Sequence, residues 1–182
     1  MKHHPFRSRG LLVTVVAALV VATAGTAWAL HGPAASLLGA SSETDCDNTN
    51  HETPDDVAKK ITGMTPDTQR ALATVQEAAR RDGITLTVNS GYRSAAYQQR
   101  VYDCWVRQLG SPTAARQRAL PPQDSAHVAG YAMDVAPQKA AKWLEKTGGG
   151  YGFCRRYGNE AWHFEFQKSY RTDGCPQLLP QP

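Results

Sequence analysis

The stretch SAHVAGYAMD, residues 125–134, carries a histidine near its start and an aspartate at its end. Gly130 favours a bend between them, because glycine adopts backbone conformations that other residues avoid. The residues after the bend favour a strand, and the proline-rich approach argues against a helix. We therefore expect His127 on the loop that enters this strand and Asp134 on the strand itself, with both side chains directed into one cleft.

A second stretch, EAWH at residues 160–163, supplies another histidine with a glutamate three residues before it. His127 and His163 are the only histidines of the predicted domain, since the other four precede residue 57. Two imidazoles and one carboxylate are a ligand set that holds catalytic zinc with a fourth position open. Glu160 would then stand outside the ligand set and could move protons during metal-assisted hydrolysis. The metal-free alternative is an exposed histidine, an aspartate at a strand end and ordinary core packing of Trp162.

Arg93 in the motif SGYRS, residues 90–94, directly follows a predicted strand. A guanidinium there can bind a carboxylate or stabilise a developing oxyanion, because its planar fork donates two parallel hydrogen bonds. A surface ion pair would use the same residue equally well. Glu165 lies two residues past His163 on the same strand face, where it could support a metal ligand or only the structure.

Apolar periodicity, helix caps and glycines predict helices and strands in mixed order, with antiparallel returns. The fold class is therefore α+β, a single small domain with a mainly antiparallel central sheet and flanking helices. The predicted helices run from Pro66 to near Gly83, from Ala95 to Leu109 and from Ala140 to Glu145. The predicted strands are Ile84–Val88, Tyr131–Val135 and Trp162–Phe166, whereas residues 110–125 and the tail from Tyr170 are predicted to be loops.

The N-terminus combines three basic residues with an uncharged run, residues 11–29, that ends in Ala-Trp-Ala. This pattern predicts a secretory signal peptide over residues 1–29, and the small residues at its end favour cleavage. The run is also close to the roughly 20 residues that span a bilayer, so an uncleaved membrane anchor is the alternative. Either form places the rest of the chain outside the cytoplasm. Residues 30–56 predict a spacer, and the domain should extend over residues 57–182.

Charge and cysteine content narrow the classes of function. The net charge is +4, but without the three basic residues of the leader 17 Lys and Arg stand against 16 Asp and Glu, or +1. No basic stripe is present, so we expect no nucleic-acid partner. The four cysteines form no CxxC pair, and an even number in an exported chain predicts two disulfides. Three pairings are possible, of which we favour Cys46–Cys104 and Cys154–Cys175.

Three motifs in this order resemble the VanY-like D-alanyl-D-alanine carboxypeptidases, zinc D,D-peptidases that include the VanX-type dipeptidases. They are SGYRS at residues 90–94, SxHxxGxAxD at residues 125–134 and ExWH at residues 160–163. The resemblance covers roughly residues 67–166. It implies the D,D-carboxypeptidase/hedgehog-like fold and a zinc cofactor.

The resemblance also implies roles for individual residues. The metal ligands would be His127, Asp134 and His163. The catalytic residues would be Glu160, as general base and then acid, and Arg93, which would polarise the scissile carbonyl. Three further residues are expected to contact the substrate, namely Ser125, Gln99 and Trp162.

We therefore expect a secreted or membrane-anchored zinc D,D-carboxypeptidase that acts as a monomer on peptidoglycan stem peptides. The alternatives on the same site are a peptidoglycan endopeptidase and a D-Ala-D-Ala dipeptidase, the latter disfavoured because such dipeptidases act in the cytosol. An alternative of another class is a non-catalytic, zinc-stabilised cell-wall-binding domain. Glu160 argues against it, because a structural metal site needs no general base. The loop at residues 110–123 should shape the choice of substrate.

Overall fold

The computed structural model describes Cys46 and residues 51–182, and the predicted leader and most of the predicted spacer lie outside these residues. Six helices and one four-stranded sheet make up the regular structure of this described part. The helices are α1 (Pro54–Lys59), α2 (Pro66–Arg81), α3 (Ala95–Leu109), α4 (Pro112–Ala115), α5 (Gln138–Thr147) and α6 (Tyr170–Asp173), with 3₁₀ turns at Pro122–Asp124 and Gly148–Tyr151. Over Cys46 and residues 51–182, no helix has the length and apolar character needed to cross a membrane.

The sheet has the order β1-β2-β4-β3, and every neighbouring pair of strands is antiparallel. Its strands are β1 (Thr87–Ser90), β2 (Ala132–Ala136), β3 (Phe153–Arg155) and β4 (His163–Phe166). The central strands are β2 and β4, and their register sets Asp134 opposite His163. This architecture confirms the predicted α+β class with an antiparallel central sheet.

Helices α2 and α3 form where local signals predict them. Thr65 caps α2 by accepting a backbone hydrogen bond from the residue three positions on, and Pro66 occupies the first turn, where a missing N–H is tolerated. Ser94 caps α3 in the same way. Gly110 ends α3 with a φ of 67°, a left-handed conformation that favours glycine. Both helices are therefore specified by their own ends.

The hydrophobic core has two parts. The main core joins apolar side chains of the sheet, α2 and α5, among them Met133, Phe164, Val75 and Leu144. A smaller cluster lies along α3 and comprises Cys46, Tyr97, Val101, Trp105, Ala115 and Ala119. The three large α3 side chains of this cluster are spaced four residues apart, so they share one face of the helix.

Both favoured disulfides are confirmed. Cys46–Cys104 joins the N-terminal arm to α3, and Cys154–Cys175 joins β3 to the segment that follows α6. Beyond the second disulfide the chain runs beside residues 156–159. There the Leu179 amide donates to the Arg156 carbonyl (2.9 Å), and the Leu179 carbonyl accepts from the Gly158 amide (2.7 Å). The predicted loop-like tail is thus tied to the domain.

Some predicted boundaries are wrong. The first strand begins at Thr87 rather than Ile84, because the Ile84 amide donates to the Ala79 carbonyl (2.8 Å) and completes the end of α2. The predicted loop at residues 110–125 contains α4 and a 3₁₀ turn. Helices α1 and α6 and strand β3 have no counterpart among the predictions. They span only six, four and three residues, which is too short to show a periodicity.

Candidate metal centre and active site

Three buried side chains meet where the central strand pair joins the preceding loop. His163 Nδ1 lies 3.2 Å from Asp134 Oδ1 and 3.2 Å from His127 Nε2. His127 Nε2 lies 3.4 Å from Asp134 Oδ1. One possible ligand atom from each residue falls within 4.8 Å of the others. The structure therefore brings together all three side chains that the sequence predicts as metal ligands.

His127 lies on the loop before β2, and a contact with the backbone just after β1 fixes the orientation of its ring. Its Nδ1 lies 2.7 Å from the Gly91 carbonyl oxygen, so Nδ1 donates a proton there and the lone pair of Nε2 faces the cluster. Gly130 makes the bend with a φ of 80°. A Cβ at this position would lie 3.1 Å from Thr65 N and 3.2 Å from Gly63 O. Both the backbone conformation and the close approach therefore require glycine at the bend.

Burial and charge act against each other in this cluster. Burial on its own would raise the pKa of Asp134, but His127, His163 and Arg93 outweigh it and hold this pKa well below its ordinary value. Burial would lower the pKa of His163, yet hydrogen bonds to Asp134 and Glu165 raise it to about 9. For His127, burial and then the charge of Arg93 lower the pKa. A divalent cation bound here would therefore displace a proton from His163.

Arg93 holds the second oxygen of Asp134. Its Nη2 donates to Asp134 Oδ2 over 2.8 Å, and its Nε donates to Ser90 Oγ over 2.8 Å. Its Nη1 donates to Gln98 Oε1 over 3.2 Å. Because Oδ2 is engaged in this way, Asp134 presents Oδ1 to the two histidines. Arg93 thus orients a candidate ligand and also lines the cleft above it.

A cleft of about 350 Å³ opens over the cluster. Glu160 lies in its wall, with Oε2 3.8 Å from His163 Nδ1 and a side chain that is 15% exposed. Trp162 also lines the cleft and is 49% exposed, so it belongs to the wall rather than to the core. Ser125 lines the same cleft and is buried. The cleft thus combines a carboxylate, a hydroxyl and an aromatic surface above the three clustered side chains.

Comparison with known proteins identifies the family of this chain. The family model described as VanY: D-alanyl-D-alanine carboxypeptidase matches residues 62–176. This chain belongs to the VanY family. A D-alanyl-D-alanine carboxypeptidase of Enterococcus faecalis is 30% identical over 115 residues, a match that covers 50% of this chain and 43% of that relative. The chain therefore spans less than half the length of this curated relative.

Two solved structures share the fold of this VanY-family chain. A mutant of the vancomycin resistance D,D-pentapeptidase VanY in complex with Zn(II) is 26% identical, with a TM-score of 0.53 over 62% of this chain and 80% of that one. The LdcB LD-carboxypeptidase is also 26% identical, with a TM-score of 0.55 over 61% of this chain and 63% of that one. The family membership predicted from three motifs is confirmed.

The donor set of this VanY-family chain fits a zinc ion. Two imidazoles and one carboxylate are typical ligands of catalytic zinc, whereas calcium and magnesium prefer oxygen alone. Each histidine directs one ring nitrogen to the cluster and the other to an oxygen outside it. These outer partners are Gly91 O for His127 and Glu165 Oε1, 3.3 Å away, for His163. In the neutral tautomers that metal binding requires, such outer hydrogen bonds place the ring proton outside the cluster and the lone pair toward it.

Gln99 is the one predicted contact residue that the structure does not bring to the cleft. It lies on the exposed face of α3, where its Nε2 donates to Asp103 Oδ1 over 2.8 Å. Gln98 is buried and lines the cleft instead. Helical periodicity explains the difference, because Gln98 shares a face with Val101 and Trp105 and its neighbour does not. This helical spacing is the signal in the sequence that would have placed Gln98, and not Gln99, on the cleft side of the helix.

Two other cleft residues were not predicted individually, although one of them, Arg118, lies in the loop at residues 110–123 that is expected to shape the choice of substrate. Arg118 follows α4, lines the cleft and places its guanidinium carbon 5.3 Å from the centre of the Trp105 ring. Pro182 lines the cleft at the end of the C-terminal segment, whose carbonyls accept from the amides of residues 158 and 159. Only tertiary contacts bring these two residues to the site.

Proposed function

We propose that this chain is a zinc D,D-carboxypeptidase that hydrolyses the terminal D-Ala-D-Ala bond of peptidoglycan stem peptides. The observation that carries the proposal is the convergence of His127, Asp134 and His163 within 4.8 Å beneath a cleft. The same cleft holds a carboxylate and a guanidinium. Membership of the VanY family supports a C-terminal D-alanine as the group released.

Zinc would be held by His127 through Nε2, Asp134 through Oδ1 and His163 through Nδ1. When bound, it would leave a coordination position for water and supply Lewis acidity that lowers the pKa of water to about 7. Both imidazoles must be neutral for this, since a proton and a metal compete for the same nitrogen. The ionised carboxylate of Asp134 would complete the ligand set.

Glu160 is the proposed general base. Its carboxylate stands beside the cluster rather than within it, with Oε2 3.8 Å from His163 Nδ1. From there it would accept a proton from the water that attacks the amide carbonyl. The same carboxyl would then donate that proton to the amine of the leaving D-alanine, which returns Glu160 to its ionised form.

Arg93 is the proposed electrostatic stabiliser. Its guanidinium lines the cleft, where it would face the negative charge that develops on the carbonyl oxygen during attack. The hydrogen bonds to Asp134 and Gln98 limit its rotation. Arg93 therefore has two proposed effects, one on the reaction itself and one on the orientation of a metal ligand.

Ser125 and Trp162 are the proposed substrate contacts. Ser125 offers a hydroxyl at the buried side of the cleft, and Trp162 offers an exposed aromatic surface at its wall. Gln98 also lines the cleft, but its Oε1 accepts from Arg93 and its Nε2 donates to the Leu120 carbonyl over 2.7 Å, so it supports Arg93. The cleft volume of about 350 Å³ lies at the lower end of the range of about 300–1,000 Å³ typical of small-ligand sites. That size suits the end of a short peptide.

The proposed place of action is outside the cytoplasm, where stem peptides of peptidoglycan are found. Cys46–Cys104 and Cys154–Cys175 favour an oxidising compartment, since disulfides persist there and are reduced in the cytosol. The leader predicted over residues 1–29 would direct export. Export also disfavours the alternative of a dipeptidase that acts on a free cytosolic dipeptide.

An L,D-carboxypeptidase is the second candidate. LdcB, an LD-carboxypeptidase, is as similar in sequence to this chain as the D,D-pentapeptidase is, with 26% identity in both cases. An L,D enzyme cleaves an amide between an L- and a D-residue, whereas a D,D enzyme cleaves between two D-residues. The same ligands and the same base would serve both reactions, so substrate contacts in the cleft must distinguish them.

Mass spectrometry of digested muropeptides tests the proposal. We expect the zinc-loaded protein to remove one alanine from a stem pentapeptide that ends in D-Ala-D-Ala. It should leave unchanged a tetrapeptide whose terminal D-alanine follows an L-configured centre. Glu160→Gln provides the inactive control.

Other outcomes would reassign the activity. Cleavage of the tetrapeptide alone would identify an L,D-carboxypeptidase, and division of cross-linked dimers would identify an endopeptidase. A zinc-loaded protein that binds these peptides and cleaves none would be a non-catalytic binding domain.

A further inference from the structure

Behind His163, on the side away from Asp134, lies an ion pair that the proposed reaction does not use. Glu165 Oε1 lies 3.3 Å from His163 Nε2, and Glu165 Oε2 lies 3.5 Å from Arg156 Nε. The side chains of Glu165 and Arg156 are only 9% and 18% exposed. A largely buried carboxylate, paired with a guanidinium on its other side, therefore contacts the ring of a candidate metal ligand.

We propose that Glu165 and Arg156 are positioning residues that fix His163 for metal binding. The proposal rests on the zinc site of the proposed function. A carboxylate next to Nε2 stabilises the tautomer that carries its proton on Nε2, and the lone pair is then on Nδ1. Nδ1 is the nitrogen that faces Asp134 Oδ1 and His127 Nε2. Glu165 thus selects the tautomer that the metal site needs and restrains rotation of the ring.

Strand geometry explains how Glu165 reaches the ring. Side chains two residues apart on a strand lie on the same face, so β4 presents His163 and Glu165 side by side. Phe164, between them, belongs to the main core. Glu160 approaches the other nitrogen of the ring, with Oε2 3.8 Å from Nδ1. The two carboxylates near His163 therefore have separate positions, one beside the cleft and one behind the ring.

Arg156 pairs with the carboxylate of Glu165 and holds it in place. Its own position is set by the C-terminal segment, because its Nη1 donates to the Gln177 carbonyl (3.5 Å) and its carbonyl accepts from the Leu179 amide (2.9 Å). The disulfide Cys154–Cys175 ties that segment to Cys154, which lies two residues before Arg156. Without the guanidinium, a buried carboxylate would lose its counter-charge, which is strongly unfavourable.

Zinc titration of the metal-free protein against a chromophoric chelator tests the proposal. We expect Glu165→Ala to weaken zinc binding by about 10–100-fold, as for other lost partners of ligating histidines. Glu165→Gln keeps an acceptor oxygen without the charge and should show a smaller loss, and Arg156→Gln should also weaken binding. The matched control is Glu145→Ala, which removes the carboxylate that pairs with the neighbouring Arg155 over 2.8 Å. This control should bind zinc like the wild type.

Cobalt absorption spectra separate positioning of the ring from a general loss of structure. At saturating Co(II), Glu165→Gln should shift the visible ligand-field bands, because the His163 ring is no longer held in the same way, whereas Glu145→Ala should not. Thermal unfolding of each metal-free variant shows which variants fold. If Glu165→Ala does not fold, the result for Glu165→Gln, which preserves the shape of the side chain, decides the test.

Two results would overturn the proposal in distinguishable ways. Wild-type zinc affinity and an unchanged cobalt spectrum in folded Glu165→Gln and Arg156→Gln would exclude a positioning role while the zinc site itself stands. A wild-type protein that binds no zinc would overturn the proposed function and this inference together.

Discussion

The two faces of strands β2 and β4 differ sharply in chemistry. Asp134 and His163 belong to the face that forms the candidate metal centre, whereas their neighbours Met133 and Phe164 lie in the main core and are fully buried. The polar face is also buried, yet its groups satisfy one another. Among the described residues, no buried side-chain nitrogen or oxygen lacks a hydrogen-bond partner. From this comparison we expect the apolar face to determine stability and the polar face to determine the proposed metal binding and turnover.

Removing divalent metal should have the largest effect on activity. A chelator should abolish hydrolysis, and added zinc should restore it, because the three proposed ligands offer atoms within 4.8 Å of one another, close enough to hold one ion. The metal-free domain should stay folded, since its main core lies on the other face of the strands. Hydrolysis rates and circular dichroism, measured on the same samples, check both expectations. Unfolding on chelation would show that the two faces are not independent.

Glu160→Gln should lower turnover by about 10²–10⁴-fold, the usual contribution of a general acid or base. Zinc content should stay near that of the wild type, because Glu160 stands beside the ligand cluster rather than within it. Steady-state kinetics and metal analysis together check this prediction. Loss of zinc along with turnover would instead make Glu160 a ligand, and Glu145→Gln is the exposed control.

Phe164→Ala tests the apolar face. Phe164 is 0% exposed, and truncation of a buried phenylalanine typically lowers the free energy of unfolding by about 3–5 kcal/mol. Denaturant unfolding measures that loss. The molecules that remain folded should bind zinc with unchanged affinity, because the neighbouring His163 faces the other way. A large change in zinc affinity would mean that core packing also sets the metal geometry.

Arg93→Ala should slow hydrolysis by about 10²–10³-fold, as for a lost oxyanion donor. It should also weaken zinc binding, because Arg93 Nη2 holds Asp134 Oδ2 at 2.8 Å. Kinetics at saturating zinc separate the two contributions. Arg70→Ala on α2, which loses only a surface pair with Asp67, is the matched control. Wild-type rates in Arg93→Ala would remove this residue from the proposed reaction.

Local signals predicted the parts of the fold that depend on neighbouring residues. The threonine and serine caps, Pro66 and Gly110 locate α2 and α3, because each acts within one turn of its helix. The same kind of reasoning misplaced the start of β1, because Ile84 looks like a strand residue but hydrogen-bonds to the end of α2. Short elements such as β3 carry too little pattern to be recognised alone.

In the candidate site, too, some residues could be predicted from the sequence and others could not. The ligand types, their order and the bend at Gly130 could be read from the chain, because imidazoles and carboxylates in this pattern have few other uses. The position of Gln98 in the cleft follows from the helix face on which it lies and not from a motif. The loop at residues 110–123 was expected to affect substrate choice, but Arg118 within it, and Pro182, could not be singled out, because each reaches the cleft through contacts with distant segments.

By itself, the sequence determined the family, the class of fold and which side chains can bind a metal, since these depend on residue identity and local spacing. Tertiary structure alone decided that Arg93 pairs with Asp134 and that Arg156 pairs with Glu165 behind His163. Neither pair could be predicted from the sequence, because the separation of its two residues along the chain matches no helical or strand period. Strand register brings Asp134 to Arg93, and the C-terminal segment tied by a disulfide holds Arg156 beside Glu165.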